Sequence, residues 1–436
     1  MKRVLIVSPS FPPTSTADLH RVRASLPHFA EFGWSPYVLA IRPEDHGGLT
    51  EPELRATVPD VPVTRTRALP AGLTRLLGIG NPGLRALGHL YAAGAGLIKR
   101  ESIDLVYFST TMFPVTILGR IWKARFGTPY VVDFQDPWRT DYRGAARPRG
   151  PKAAFARTMH GMLEPLTMRK VDGVVAVSAA YVHSLVERYP WLEERECAVI
   201  PFGASARDLD VARAATWASP LFDRDDGRIH GVAVGRGGRD MAAACELLFG
   251  ALRSLDAQSR GMRPVHLWFV GTDYAAGSRG KETVAPVARA FGLGSMVTES
   301  PARVPYLEGL RLLEAGHFTV ILGSDDAAYS PSKVYPCLLA GRPFVAVLHA
   351  SSPVVPLLQN AGTGIVATFQ PGGDLISTRE DLAKELARLI ANAPQDVRVP
   401  SHILDSFSPR ELTRRQCAVF DRALQRQSVD GVPCAG

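Results

Sequence analysis

The sequence predicts an α/β protein of two domains, each a parallel sheet with helices packed on it. Three observations predict this. The chain has 436 residues, enough for two domains of about 200 residues each. Short apolar runs such as Val4-Leu5-Ile6-Val7 end in polar loops and lead into helical patterns, which is how buried parallel strands and their crossover helices read. The alternation pauses in a polar stretch after Gly203 and restarts at Ile229.

The bulk composition narrows the class. A hydrophobic content of 46% with 21% charged residues suits a globular protein with a large core. No run approaches the roughly 18–20 apolar residues that a membrane span needs, so the chain reads as soluble or peripheral. Its start, Met1 to Pro9, holds only four consecutive apolar residues and reads as a first strand, too short for a signal peptide. The five cysteines are odd in number, scattered and form no C-x-x-C, which fits reduced thiols without a disulfide framework or a zinc site. The formal net charge of +8 belongs mostly to residues 1–205, with 25 Lys/Arg against 18 Asp/Glu. Nucleic acid is a poor candidate for the partner, because the aromatic interleaving that accompanies such binding is lacking.

In the first half, Val4 to Val7 should be a strand, Ser8 to Thr16 a polar loop, and Ala17 to Phe32 a helix stopped by Gly33. The loop after the first strand of a doubly wound sheet faces the ligand crevice. Thr16 lies in that loop, and His20, Arg21 and Arg23 lie on the first turns after it. They read either as solvated helix residues or, for Arg21 or His20, as groups turned toward an anionic ligand. Tyr37 to Ile41 and Ile103 to Phe108 are further strands, and residues 43–100 mix helix and loop. Pro129 to Val132 leads to Asp133, Asp136 and Trp138. Two carboxylates at a strand's carboxyl end suit a crevice. Equally, Asp133 could pair with a buried donor and Asp136 could cap the turn before Pro137. Residues 139–157 then carry six Lys/Arg and one acid, Asp141, a run that is either merely solvated or meets an anionic partner.

A strand at Val171 to Ser178, a helix at Ala179 to Tyr189 and the segment Cys197 to Gly203 close the first half, and residues 204–226 read as a polar linker. In the second half, the strand Ile229 to Val234 runs into the turn Gly235-Arg236-Gly237-Gly238-Arg239. Its glycines let backbone approach a phosphate, and its arginines supply counter-charge. Val265 to Thr272 and Phe318 to Leu322 are strands, the latter leading to Asp325 and Asp326. Tyr329-Ser330-Pro331-Ser332-Lys333 then opens a helix, with Ser330 or Ser332 as N-cap and Gly341 as stop. A helix start with a hydroxyl and a lysine beside it is a ready anion site.

Several of these segments resemble family 4 glycosyltransferases. The Ser-Lys-aromatic start with Leu338-Leu339-Ala340-Gly341-Arg342-Pro343 looks like their donor-site helix. Asp133-Phe134-Gln135-Asp136-Pro137-Trp138 resembles an Asp-Phe-Arg-Asp-Pro-Trp signature with Gln135 for the arginine. Val199-Ile200-Pro201-Phe202-Gly203 resembles a Val-Ile-Pro-Asn-Gly hand-over with Phe202 for the asparagine. The family form of the donor helix carries two glutamates, where this chain has Ala328 and Pro336.

The resemblance implies the GT-B fold, two Rossmann-like domains facing each other across a cleft. Residues 1–205 would form an acceptor domain, joined by a crossing helix at about 408–424, and residues 227–407 a nucleotide-sugar donor domain. It implies glycosyl transfer from a nucleotide-activated donor, retaining and metal-independent, in polysaccharide, glycolipid or natural-product glycosylation. No cofactor is needed beyond the nucleotide-sugar co-substrate. A nucleotide-sugar isomerase of the 2-epimerase kind and a non-catalytic partner subunit are the alternatives. The residues implied are Asp136 and His20 for catalysis, and Arg236, Arg239, Ser332 and Lys333 for the donor diphosphate. Asp325 and Asp326 would replace the lost glutamates, Val304 and Tyr306 would meet the nucleobase, and Thr16, Arg21 and Trp138 would face the acceptor. The acceptor would be a sugar, a lipid-linked sugar or a small molecule. A cytoplasmic protein is expected, with peripheral contact to an anionic inner membrane face through Arg139 to Arg157.

Overall fold

The computed structural model describes residues 1–436 except 77–78, 140–149, 194–195, 217–220, 257–262, 274–279, 328, 371, 374, 394–395 and 431–436. The chain divides into two compact units, Met1–Phe202 with Pro409–Gly436, and Gly203–Ser408.

The first unit is organised on seven parallel strands: β1 (Lys2–Val7), β2 (Trp34–Ile41), β3 (Val63–Thr66), β4 (Leu105–Ser109), β5 (Tyr130–Phe134), β6 (Gly173–Ala176) and β7 (Cys197–Val199). Their order is β3-β2-β1-β4-β5-β6-β7, so the strand order reverses between β1 and β4, where doubly wound sheets bind ligands. Alternation along β1 fills both faces. Leu5 and Val7 pack with Phe108, Val132 and Trp122 on one side, and Val4 and Ile6 with Tyr107, Val131 and Phe420 on the other. Helices α1 (Leu19–Ser25), α2 (Pro82–Arg100), α3 (Ile117–Phe126) and α4 (Pro151–Met168) belong to this unit. Gly119 of α3 permits a close approach to the sheet, since a Cβ there would lie 2.5 Å from the Tyr130 ring.

The second unit holds six parallel strands: β8 (Ile229–Val234), β9 (Val265–Val270), β10 (Val297–Ser300), β11 (Phe318–Leu322), β12 (Phe344–His349) and β13 (Gly364–Phe369). The order β10-β9-β8-β11-β12-β13 repeats the pattern of the first unit, with its switch point between β8 and β11. Helices α5 (Ala206–Ala214), α6 (Ala242–Asp256), α7 (Tyr306–Ala315) and α8 (Val334–Leu339) serve this unit, and Phe249, Phe269, Phe318 and Leu386 lie in its core. The terminal helix α9 (Pro409–Asp430) belongs to the first unit, where buried Phe420 meets the rings of Trp34 at 5.3 Å and Tyr107 at 5.0 Å.

Four local expectations change. The helix foreseen from Ala17 to Phe32 is α1 followed by a 3-10 segment, Leu26–Phe32, because Pro27 cannot donate in an α-helical ladder; Gly33 still ends it with φ +79°. The stretch 204–226 contains α5, whose Asp208 and Leu209 are buried. The last helix runs on to Asp430, past the expected end at 424. Neither Ser330 nor Ser332 caps α8: its N-cap position is Lys333, and no side chain caps it. Pro336 is the third residue of α8, where a missing N–H costs nothing, and Ala328 lies outside the described residues.

Candidate functional site

In the first unit, the carboxyl ends of β1, β4 and β5 gather a buried polar network. Its centre is Asp18, 2% exposed, just before α1. One carboxylate oxygen accepts from Thr110 Oγ1 at 3.0 Å and the Thr111 backbone N–H at 3.1 Å, and the other accepts from Thr16 Oγ1. Thr16 thus orients Asp18 and is itself half-buried. Asp133, fully buried at the end of β5, takes hydrogen bonds from Tyr107, Ser109 and Gln135. Gln135 also donates to the Asp18 carbonyl at 3.2 Å, joining the two acids' surroundings.

Arg21 belongs to this network and not to a ligand-facing surface. Its Nε lies 2.8 Å from Asp133, Nη2 donates to the Ile200 carbonyl at 2.7 Å, and Phe202 packs against the guanidinium at 5.5 Å. The acceptor-facing role expected of Arg21 is therefore replaced by an internal one, and of the two readings of Asp133 the paired one holds. Trp138 is also turned inward. It stacks on Phe113 at 5.3 Å and donates through Nε1 to His160 at 2.5 Å, which makes it a packing residue. His20 is half-buried, with Nδ1 3.2 Å from Arg23 Nη2.

Asp136 remains at the surface of this edge. Desolvation by the surrounding protein, reinforced by the like charge of Asp18, raises its carboxyl above the usual range. One buried group escaped the sequence reading. His46 Nδ1 accepts from the Gly48 N–H at 3.2 Å and Nε2 lies 3.0 Å from Ser10 Oγ, so the neutral ring carries its proton on Nε2 and donates it to Ser10. Burial keeps His46 neutral by lowering its pKa, an effect Asp18 opposes and Arg85 supports. The basic run's residues 140–149 lie outside the described residues.

In the second unit the ends of β8, β9 and β11 meet the starts of α7 and α8. Gly235 ends β8 with φ +133°, and a Cβ there would stand 3.1 Å from Lys333 Cγ. Only glycine suits both the backbone and the lysine stem lying over it. Lys333 Nζ sits 5.6 Å from the centre of the Tyr306 ring, whose hydroxyl donates to the buried Asp208 at 3.1 Å. Arg236, next in the turn, grips Asp240 through both ends of its guanidinium, at 2.5 and 3.1 Å, and lies 5.0 Å from the Tyr329 ring centre. Burial works to raise the Asp240 carboxyl, but hydrogen bonds from Arg236 and Ser324 and the Arg236 charge outweigh it and hold it low.

The other expected donor-side groups fall around this core. The Asp325 N–H donates to the Asp240 carbonyl at 2.7 Å, which anchors the β11 exit against the glycine turn, while the side chains of Asp325 and Asp326 are exposed. Ser332 is half-buried in the turn before Lys333, and Arg239 is exposed on the 3-10 turn Arg239–Met241. Val304 and Tyr306 are both half-buried, and the Val304 backbone nitrogen is 3.9 Å from the Cβ position of Gly271, which ends β9. Structure thus brings Arg236, Lys333, Val304, Tyr306 and the Asp325 backbone to one sheet edge. Asp240, missed in the sequence, was legible as an acid four residues after Arg236. Among the described residues, no three His, Cys, Asp or Glu side chains are placed to hold a metal.

Residues 20–203 match the family model of a glycosyl transferase 4-like domain. The glycosyl transferase 4-like match covers most of the first unit, including Asp133 and Asp136, and begins just after Asp18; the Lys333 segment lies beyond it. No curated protein matches the chain. Among solved structures, sucrose-phosphate synthase from Thermosynechococcus elongatus is similar, with a TM-score of 0.55 and 15% identity over 99% of this chain and 98% of that one. HepE of Anabaena in complex with UDP gives 0.51 and 15%, covering 99% of each chain. A Listeria monocytogenes protein described as a UDP-N-acetylglucosamine 2-epimerase gives 0.54 and 12%, covering 98% of each chain. At such identities the likeness is one of fold: two Rossmann-like units in one chain, as in GT-B proteins.

Proposed function

We propose that the chain is a glycosyltransferase that moves a sugar from a nucleotide-activated donor, held by the second unit, to an acceptor held by the first. One observation carries the reading. Lys333 lies over Gly235 at the head of the Gly235–Arg239 turn, so two cations border one turn at the carboxyl edge of a parallel sheet. That is where a diphosphate leaving group could be neutralised without a metal ion. The glycosyl transferase 4-like match over the other unit and the UDP bound by HepE, a protein of the same fold, support it further. In this reading transfer is retaining, and the leaving phosphate oxygen takes the acceptor proton. Asp136, its carboxyl raised, orients the acceptor hydroxyl. Asp325 or Asp326 receives a ribose or sugar hydroxyl, and the acceptor is a sugar, a lipid-linked sugar or a small molecule.

Calorimetric titration with UDP, GDP, ADP and dTDP tests the donor half. One of them should bind, and Lys333→Ala or Arg236→Ala should weaken it tenfold to a hundredfold, the loss of about 1.5–3 kcal/mol expected of a charge-assisted contact. Absence of binding by all four, or unchanged affinity in both variants, removes the reading. Incubation with the matching nucleotide sugars then separates transfer from the isomerase alternative, whose product is an epimer formed without an acceptor.

A further inference from the structure

Lys333 is held from two sides. Its ammonium ends a long flexible stem, and a lysine left loose loses part of its affinity in ordering itself when an anion arrives. Gly235 gives the stem a floor, with the glycine's Cβ position 3.1 Å from Lys333 Cγ, and Tyr306 gives the ammonium a face, with Nζ 5.6 Å from the ring centre. The ring is fixed in turn at its far end, where its hydroxyl donates to Asp208 Oδ2 at 3.1 Å. Asp208 is 2% exposed and is the third residue of α5.

Helices α5 and α7 are fastened together at both ends. At the amino ends Asp208 meets Tyr306, the first residue of α7, and toward the carboxyl ends Arg213 Nε donates to Glu314 at 2.8 Å. Two such contacts set the register of the helices, so the buried carboxylate stays at the phenol. The chemistry then runs in one direction. A carboxylate only accepts, so the phenol donates, and a phenol drawn toward a carboxylate has a more electron-rich ring, which holds a cation over its face more strongly.

We propose that Tyr306 and Asp208 are positioning residues for Lys333. The buried carboxylate fixes and polarises the phenol, and the ring holds the ammonium at the head of the Gly235–Arg239 turn before a diphosphate arrives. The inference deepens the proposed function and rests on its reading of Lys333 as a diphosphate contact. It gives Tyr306 a task other than the nucleobase contact expected from the sequence.

Chemical labelling tests the hold without any ligand. Acetylation by an N-hydroxysuccinimide ester, followed by mass spectrometry, reads the reactivity of Lys333 against that of Lys384, which is exposed on the helix Leu375–Ala391. Tyr306→Leu should label Lys333 about threefold to tenfold faster than the wild type, the range expected for loss of a cation–aromatic contact. Tyr306→Phe, which keeps the ring, should fall between the two, and Asp208→Ala should match it because both break the same bond. Affinity for whichever of UDP, GDP, ADP and dTDP binds tests what the hold serves. Tyr306→Leu should weaken it by a similar factor, and should leave it unchanged once Lys333 is already alanine, whereas a nucleobase contact would be lost in both backgrounds. Wild-type labelling in Tyr306→Leu or in Asp208→Ala overturns the proposal, and so does an equal loss of affinity with and without Lys333. If none of the four diphosphates binds the wild type, the proposed function falls, and the labelling alone decides whether Tyr306 and Asp208 hold the lysine.

Discussion

Acid should weaken the second unit through His317, and the effect can be isolated with one substitution. His317 is 3% exposed, its N–H donates to the His230 carbonyl at 2.8 Å, and its Nδ1 accepts from the His230 N–H at 3.0 Å. A protonated ring could not accept that bond. Burial, helped by the positive surroundings of Arg224, His230, Arg263 and Arg342, lowers the pKa from 6.5 to about 4. The unfolded chain titrates near the ordinary value, so between about pH 6.5 and 4 it binds the extra proton and the folded chain does not. Stability from this source is complete above about pH 6.5 and is lost as pH falls toward 4, by up to about 3 kcal/mol at 1.36 kcal/mol for each pH unit of difference. His317→Asn keeps an acceptor near Nδ1 but cannot titrate. Urea midpoints measured from pH 7.5 to 4 should fall less steeply in the variant than in the wild type, while carboxylates common to both cancel in the comparison. His266, also lowered by burial first and then by Arg228, contributes in the same direction in both proteins. If wild type and His317→Asn lose stability in parallel, the neutral-imidazole argument is wrong.

Three other outcomes follow from the geometry. Asp133→Ala should destabilise the first unit by about 3–5 kcal/mol, because it leaves the buried Arg21 guanidinium without its carboxylate, whereas Arg21→Met with Asp133→Leu should recover much of that loss in urea unfolding. Asp240→Asn removes the carboxylate charge that Arg236 now holds while keeping the side chain's shape. Nucleoside diphosphate should then bind several-fold to about tenfold tighter by calorimetry, and weaker binding would mean that Asp240 positions Arg236 for the ligand. Gly235→Ala should cost about 1–3 kcal/mol of stability for its left-handed backbone, and should lower nucleotide affinity by displacing Lys333.

The fold was legible because parallel strands buried on both faces leave apolar runs, as Val4 to Val7 of β1 and Phe344 to Leu348 of β12 do. Element ends were less legible where proline or a side chain changed the local ladder: Pro27 turns the end of the first helix into 3-10 geometry, and Lys333 rather than a serine occupies the N-cap position of α8. Candidate site residues were readable as types and positions but not as partners. Arg21 and Asp133 both lie where a ligand-facing group would be sought, and nothing in a linear sequence says that they are 2.8 Å apart and engage each other. His46 was invisible for a related reason, since only the return of the chain after β2 brings it to Ser10, 36 residues away in sequence.

That pairing of charges separates the two edges chemically. In the first unit the strong ion pair is buried and spent on the scaffold, while Asp136 lies at the surface with a raised carboxyl. A raised carboxyl near a charged neighbour can hold a proton or accept one, which suits the handling of an acceptor hydroxyl and does not suit anion binding. In the second unit the ion pair Arg236–Asp240 is only partly buried, so its arginine can exchange one anion for another. Lys333 beside it lies against an aromatic ring and a glycine. An anion entering this edge would therefore meet a cation whose carboxylate it can displace and a second cation held by packing, and a diphosphate has enough charge to engage both. The two edges thus differ in their electrostatics: the first holds a fully buried ion pair and a raised surface carboxyl, the second a half-buried ion pair beside a lysine that packs on an aromatic ring.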